Sequence, residues 1–355
     1  MIIRRLLFSL FFSLLTALAP IAGGSILAAE NKVLVPFTPD DDLAAIRRKI
    51  KLNGYHFTVA RNWVVELAPA QRARMRSRHA PAEILSRAEV PAAGPGPVTA
   101  FAGEVLPARF DWRDCHGRNY IGPIHNQGSC GSCYAFGACA AAESSYNLAV
   151  GLYNADCIDF SEAFISFCLD DFYDGFDSCV GSDYDYQELD AVVTFGVCRE
   201  SLFPYDPQVR ECRLQPFPET VRFRAWYRLP CDDLELIKSA IYHFGVVDAA
   251  VLTTRAFDAY QSGIYADTRT DCAADPCFYA ETDHIVALVG WDDNRGEGYW
   301  ILRNSWGESW GEGGYMKISY RAAHVACAVC YLLPEKSVAG KPPGISSWLP
   351  LLLER

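Results

Sequence analysis

The sequence has no excess of positive charge. Its 32 lysines and arginines are outnumbered by 43 aspartates and glutamates, a formal net charge of −11. That balance argues against a nucleic-acid partner, which asks for basic surface. No internal repeat is visible, which sets aside solenoid and propeller arrays. Beyond the N-terminus no stretch is long and apolar enough to span a bilayer, and Trp348-Leu349-Pro350-Leu351-Leu352-Leu353 is far too short. Histidine is scarce as well: seven residues supply every imidazole available for acid–base work.

The N-terminus has the pattern of a secretion signal, residues 1–29. Arg4 and Arg5 precede an apolar run, Leu6 to Leu18, and small residues follow around Ala22 to Ala29. An uncleaved anchor is the alternative. Export to the extracellular space or another oxidising compartment agrees with 14 cysteines, an unusual load of thiols for a reducing cytosol. The rest is long enough for one large or two modest domains.

Residues 30–105 read as a segment outside the final fold. A helical pattern over Asp41 to Lys51 leads into Phe57 to Trp63, which has the texture of a short strand, and Arg72 to Arg78 is basic in an otherwise acidic chain. Pro91 to Glu104 is rich in Pro, Ala and Gly, the composition of an exposed, easily cut linker. It is either a small N-terminal domain on a hinge or, if the remainder is a protease, a removable prosegment.

The chain is organised around Asn126-Gln127-Gly128-Ser129-Cys130-Gly131-Ser132-Cys133-Tyr134. Glycines and small hydroxyl residues make a turn, and an alanine-rich run to Leu148 then predicts a helix stopped at Gly151. Cys133 falls in the first turn, where unpaired N–H groups and the helix dipole favour a thiolate. Cys130 and Cys133 fit three patterns: a redox dithiol or half a zinc site, two structural disulfide cysteines, or the Cys-Gly-Ser-Cys-aromatic signature of papain- and cathepsin-like proteases.

The remainder narrows the choice. Helices are expected over Asp159 to Cys168 with Ser161 as N-cap, Tyr186 to Phe195 and Asp232 to Phe244; strands over Val246 to Leu252, His284 to Trp291, Gly298 to Arg303 and Tyr315 to Tyr320. Helices come first and strands second, which suggests two subdomains with a cleft between them. A thiolate protease needs a base and a group that orients it. His284 opens an apolar strand after Asp283, roughly 150 residues beyond Cys133, the interval known for papain-like enzymes. Asn304 ends the next strand, before Ser305-Trp306-Gly307. The Gln127 amide lies just upstream of Cys133 and can serve an oxyanion together with the Cys133 N–H.

On these motifs residues 106–333 resemble the papain-like cysteine proteases. The resemblance implies an α+β fold in residues 106–335, with a helical subdomain over about 115–220 and a β-rich, barrel-like subdomain over about 221–335; residues 336–355 form a flexible tail. It implies Cys133 as nucleophile, His284 as acid/base, Asn304 as the residue orienting the imidazole, Gln127 as oxyanion donor and Trp306 as a shield over the Asn–His contact. Gly181, Ser182, Asp183, Ala250 and Asp283 would line the substrate cleft, with Asp183 drawing basic side chains at its rim. Implied disulfides are Cys130–Cys179, Cys168–Cys212 and Cys277–Cys327. No cofactor or metal is implied. The partners are a peptide or protein substrate and the chain's own prosegment as inhibitor, with no stable membrane insertion once the signal is removed.

Asp111-Trp112-Arg113, His116-Gly117 and Tyr134 look most like the cathepsin C branch, but no exclusion domain precedes them, so its dipeptidyl specificity does not carry over. An endopeptidase made as a zymogen leads. A dipeptidyl-type exopeptidase, a dithiol oxidoreductase and a non-catalytic binding protein are the rivals.

Overall fold

The computed structural model describes residues 33–76 and 94–335, apart from 171, 173–175, 185, 209–210, 213–217, 271 and 273–281. The secretion signal, the C-terminal tail and Cys277 lie outside the described residues. From Leu34 onward the described residues form one compact unit.

The N-terminal segment folds as α1 (Leu43–Asn53), β1 (His56–Val59), α2 (Trp63–Glu66) and α3 (Pro69–Arg74). Asp42 caps α1 by accepting from the Ala45 N–H, and Gly54 closes it at φ 74°. The strand is shorter than Phe57 to Trp63, because Asn62 accepts from the Val65 N–H and turns Trp63 into a helix start. β2 (Arg109–Asp111) then leads to α4 (Cys133–Val150), α5 (Glu162–Cys168), the short hairpin β3 (Phe176–Asp177) and β4 (Gly181–Ser182), and α6 (Gln187–Phe195). β5 (Phe223–Arg228), α7 (Leu234–Phe244), β6 (Val247–Val251), α8 (Arg255–Asp258) and β7 (Tyr260–Tyr265) follow. β8 (His284–Asp292), β9 (Tyr299–Arg303), β10 (Tyr315–Ser319) and β11 (Val329–Pro334) complete the described elements.

Within residues 106–335 helix predominates up to α6 and strand after it, with β2 and the β3–β4 hairpin in the first part and α7 and α8 in the second, and the fold is α+β. Ser161 and Asp233 cap α5 and α7 through their side-chain oxygens. The main sheet runs β1-β7-β10-β9-β8-β6-β11-β5, with β2 added to β8; it is antiparallel except where β10 meets β7. β6, β8 and β9 are buried at every residue, which is why they read as largely apolar runs without alternation.

Two apolar clusters form the interior. One gathers the sheet, α7 and the N-terminal segment; the other gathers α4, α5 and α6. They meet where α4 lies on the sheet. A Cβ at Gly137, one turn past Cys133, would collide with the Asp248 carboxylate and the Ile285 side chain. Glycine there lets the helix approach the strand that begins with His284.

The stretch expected to be an exposed linker is in part docked. Residues 96–101 form a 3-10 turn with Val98 and Phe101 buried. Phe101 stacks on His243 with ring centroids 3.7 Å apart, Glu104 meets His243 Nε2 at 2.9 Å, and the Tyr331 hydroxyl donates to the Pro95 carbonyl. Two apolar side chains in a Pro/Gly-rich stretch are enough to hold it.

Candidate active site

The turn before α4 is fixed by the Cys130–Cys179 disulfide and by the Gly131 N–H, which donates to the Cys179 carbonyl at 3.0 Å. Ser132 does not cap the helix. Its hydroxyl pairs instead with Tyr205, whose own hydroxyl reaches the Gln127 carbonyl. α4 thus begins without a cap from the Ser132 side chain, and Cys133 in its first turn is buried and in no disulfide. Cys139, two turns along, is a thiol whose pKa burial drives far up, and it is chemically inert by comparison.

His284 and Asn304 are brought together by strand pairing. β8 and β9 are antiparallel with Ala287 opposite Arg303, so the start of β8 lies beside the end of β9. His284 Nε2 is 2.8 Å from Asn304 Oδ1. The Ser305 N–H also donates to Oδ1 at 2.8 Å, which identifies that atom as the amide oxygen. Nε2 must then carry the proton, and Nδ1, which has no hydrogen-bond partner among the described residues, holds the lone pair. Trp306 stacks on the imidazole at 4.8 Å and is almost wholly buried. Burial pushes the His284 pKa down to about 4; the Asn304 contact opposes the shift and the Arg76 guanidinium adds to it.

Gln127 ties the two halves of the site together. Its Oε1 accepts from the Ser305 hydroxyl at 2.6 Å and its backbone N–H donates to the Ser305 carbonyl. Its Nε2 donates to two carbonyls at 2.7 Å, those of Cys130 and Met75. Met75 belongs to the N-terminal segment, so that amide is occupied by a peptide carbonyl of the chain itself.

The rest of that segment is docked on the same body. β1 pairs with β7, Trp63 Nε1 donates to the Trp306 carbonyl, and the Asn62 amide donates to the Asp258 carbonyl. Arg76 reaches Asp258 at 2.8 Å and Asp283 at 3.4 Å. Burial works against its charge, but those two carboxylates outweigh it and raise its pKa. A Cβ on Gly131 would sit 3.0 Å from the Arg74 carbonyl, so the segment passes directly over the turn before Cys133.

The residues expected along the cleft are placed as follows. Ala250 is fully buried in β6, opposite Ile285 of β8, and its N–H donates to the Ala328 carbonyl. Ser182 is buried with its hydroxyl on the Tyr184 carbonyl, and the Asp183 N–H donates to Gln187. The cavity between the N-terminal segment and the helical side is lined by Ser129 and residues 177–180, with neither Gly181, Ser182 nor Asp183 in its wall.

Cys168 pairs with Cys212, but Cys327 pairs with Cys272 rather than Cys277. The Asp267 carboxylate accepts from the Ala323 N–H and the Arg269 carbonyl from the His324 N–H, which pins the chain just before Cys272 beside Cys327. Sequence reasoning missed Asp258, Ser305 and Met75. An aspartate in an acidic chain, a serine in a turn and a backbone carbonyl carry no local signal. Arg72 and Arg76 did stand out as basic, without indicating what they would meet. Among the described residues no group of three or more His, Cys, Asp or Glu side chains is arranged to hold a metal ion.

Comparison with known proteins agrees with this architecture. The chain is 31% identical over 247 residues to the probable cysteine protease RD21C of Arabidopsis thaliana, covering 68% of this chain and 50% of that protein. It is 27% identical over 227 residues to cathepsin K of Gallus gallus, covering 64% and 62%. The chain thus spans about half the length of the Arabidopsis relative. Procathepsin L 3 from the larval midgut of Tenebrio molitor shares the fold with a TM-score of 0.65 at 23% identity, covering 82% of this chain and 87% of that one. Bromelain of Ananas comosus, solved with the E64 inhibitor, superimposes with a TM-score of 0.54 at 26% identity over 65% of this chain and all of that one. Residues 106–333 match the model of the papain family of cysteine proteases, and the chain belongs to that family.

Proposed function

We propose that the protein is an exported cysteine endopeptidase made as a zymogen, with residues 106–335 as the peptidase and the N-terminal segment docked through Arg76 as its inhibitor. The observation that carries this is the Met75 carbonyl on the Gln127 amide beside Cys133. It stands where the carbonyl of a substrate would be polarised.

In the proposed reaction His284 Nδ1 takes the Cys133 proton and the thiolate sulfur attacks the scissile carbonyl carbon. The oxyanion is held by Gln127 Nε2 and the Cys133 N–H. His284 returns the proton to the leaving amine as the C–N bond breaks, which leaves a thioester on Cys133. Water, deprotonated by His284, then hydrolyses the thioester. Asn304 accepts from Nε2 throughout and keeps the ring in the productive tautomer, while Trp306 keeps water from that bond. In the docked state the lowered pKa makes the imidazole a weaker base and the Met75 carbonyl occupies the Gln127 amide, so both proton abstraction and the entry of substrate are restrained.

Export is supported by the disulfides among the described residues and by the N-terminal sequence pattern. The test is hydrolysis of a protein substrate by the full chain after activation. Cys133→Ala and His284→Ala should each remove nearly all turnover, because the pair works as a unit. Retention of more than about a tenth of wild-type turnover by either variant, far above the residual expected for such a unit, contradicts the roles.

A further inference from the structure

Across Arg76 from Asp283, the residue before His284, lies a carboxylate that the proposed chemistry does not use. Asp258, at the end of α8, is fully buried, yet it meets three guanidiniums: Arg76 at 2.8 Å, Arg255 at 3.4 Å and Arg72 at 3.8 Å. Arg76 also reaches Asp283, whose own carboxylate accepts from the Thr253 N–H and hydroxyl. Two of the three cations belong to the inhibitory segment. A cavity of about 420 Å³ adjoins them, walled by Arg72, Arg76, Thr253, Arg255, Asp258 and Asp283.

Removal of the segment takes Arg72 and Arg76 away and leaves Asp258 with Arg255. One guanidinium cannot satisfy both carboxylates, and a buried charge that loses its partner is costly. The vacated place is shaped for another long cationic side chain. Its position also fixes which substrate residue would enter. The leaving amine takes its proton from His284, so the residue after the scissile bond lies on the His284 side of Cys133. Asp283 precedes His284 in the strand, and Asp258 shares Arg76 with it. We propose that Asp258 and Asp283 form a subsite selecting Arg or Lys immediately after the scissile bond, and that Arg76 imitates this side chain in the zymogen. This rests on the peptidase function above.

The test uses the full chain, activated, on peptides that differ only in the residue after the scissile bond: Arg, Lys, Gln or Ala. A charge-assisted hydrogen bond to a largely buried carboxylate corresponds to a preference of about tenfold in kcat/KM for Arg over Gln. Asp258→Asn should bring that ratio close to one. Equal kcat/KM for Arg and Gln in the wild type overturns the proposal, as does a preference that survives in Asp258→Asn. The wild-type ratio stands even if the variant fails to fold or activate. Labelling of Cys133 by an epoxysuccinyl peptide in the same wild-type sample keeps the two hypotheses apart. Labelled enzyme without the preference refutes the subsite alone, whereas unlabelled, inactive protein refutes the peptidase function.

Discussion

Arg76→Gln should unlock the zymogen. In the docked state its guanidinium bridges Asp258 at 2.8 Å and Asp283 at 3.4 Å, with 23% of the side chain exposed. A hydrogen bond between charged groups in such a setting contributes about 1.5–3 kcal/mol. Breaking a buried pair outright costs more, about 3–5 kcal/mol, but Arg72 and Arg255 stay near Asp258 and offset part of that. Glutamine keeps some hydrogen bonding, so we take about 2 kcal/mol, roughly a 30-fold rise in the fraction of molecules with the groove open. The rate at which an epoxysuccinyl peptide labels Cys133 in the unprocessed full chain reads that fraction directly. A rate within about twofold of wild type would show that Arg76 does not hold the segment in place.

Three further outcomes are expected. Asn304→Ala should lower turnover less than loss of Cys133 or His284, since it orients without reacting, while Gln127→Ala should cost about 10²-fold in kcat as the loss of one oxyanion donor; equal, complete inactivation by both would contradict this division of roles. Acid should loosen the docked segment. The His284 pKa is about 4 there against an ordinary value near 6.5, so the released state binds a proton that the docked state refuses, and docking loses up to about 3 kcal/mol as pH falls from 6.5 towards 4; protection of the amides of residues 63–76 from hydrogen exchange, corrected for intrinsic rates, should fall over that window, and constant protection would refute it. Active enzyme should begin between Arg76 and Gly94 rather than near Leu106, because removing Val98 and Phe101 from the surface they cover costs about 3–5 kcal/mol; N-terminal sequencing of a stable, active chain starting at Leu106 would contradict this.

The parts of the site that were legible in the sequence are those built from local pattern. A turn of small residues feeding a helix puts Cys133 in the first turn whatever surrounds it, and an apolar strand after Asp283 sets His284 at its edge. Asn304 was legible as the residue that ends the next strand, and antiparallel pairing is what makes it a neighbour of His284. The specificity residues were not legible. β6 is buried along both faces, so no alternation marks which way Ala250 points, and the hairpin of β3 and β4 decides that residues 177–180 face the groove. Asp258 gains its meaning only from arginines about 180 residues earlier in the chain. The docked strap at 96–101 was hidden by composition. Proline, alanine and glycine read as linker, and the anchoring power of Val98 and Phe101 depends on a surface made by α7 and β11.

The central claim is that Cys133 is a nucleophile served by His284 and covered by the N-terminal segment until activation. Mass spectrometry after exposure to an epoxysuccinyl peptide tests it most directly. The activated full chain should carry one adduct, located on Cys133, and the unprocessed chain should acquire it far more slowly. No adduct on the activated chain, an adduct on a different cysteine, or equal labelling of both forms would contradict the account.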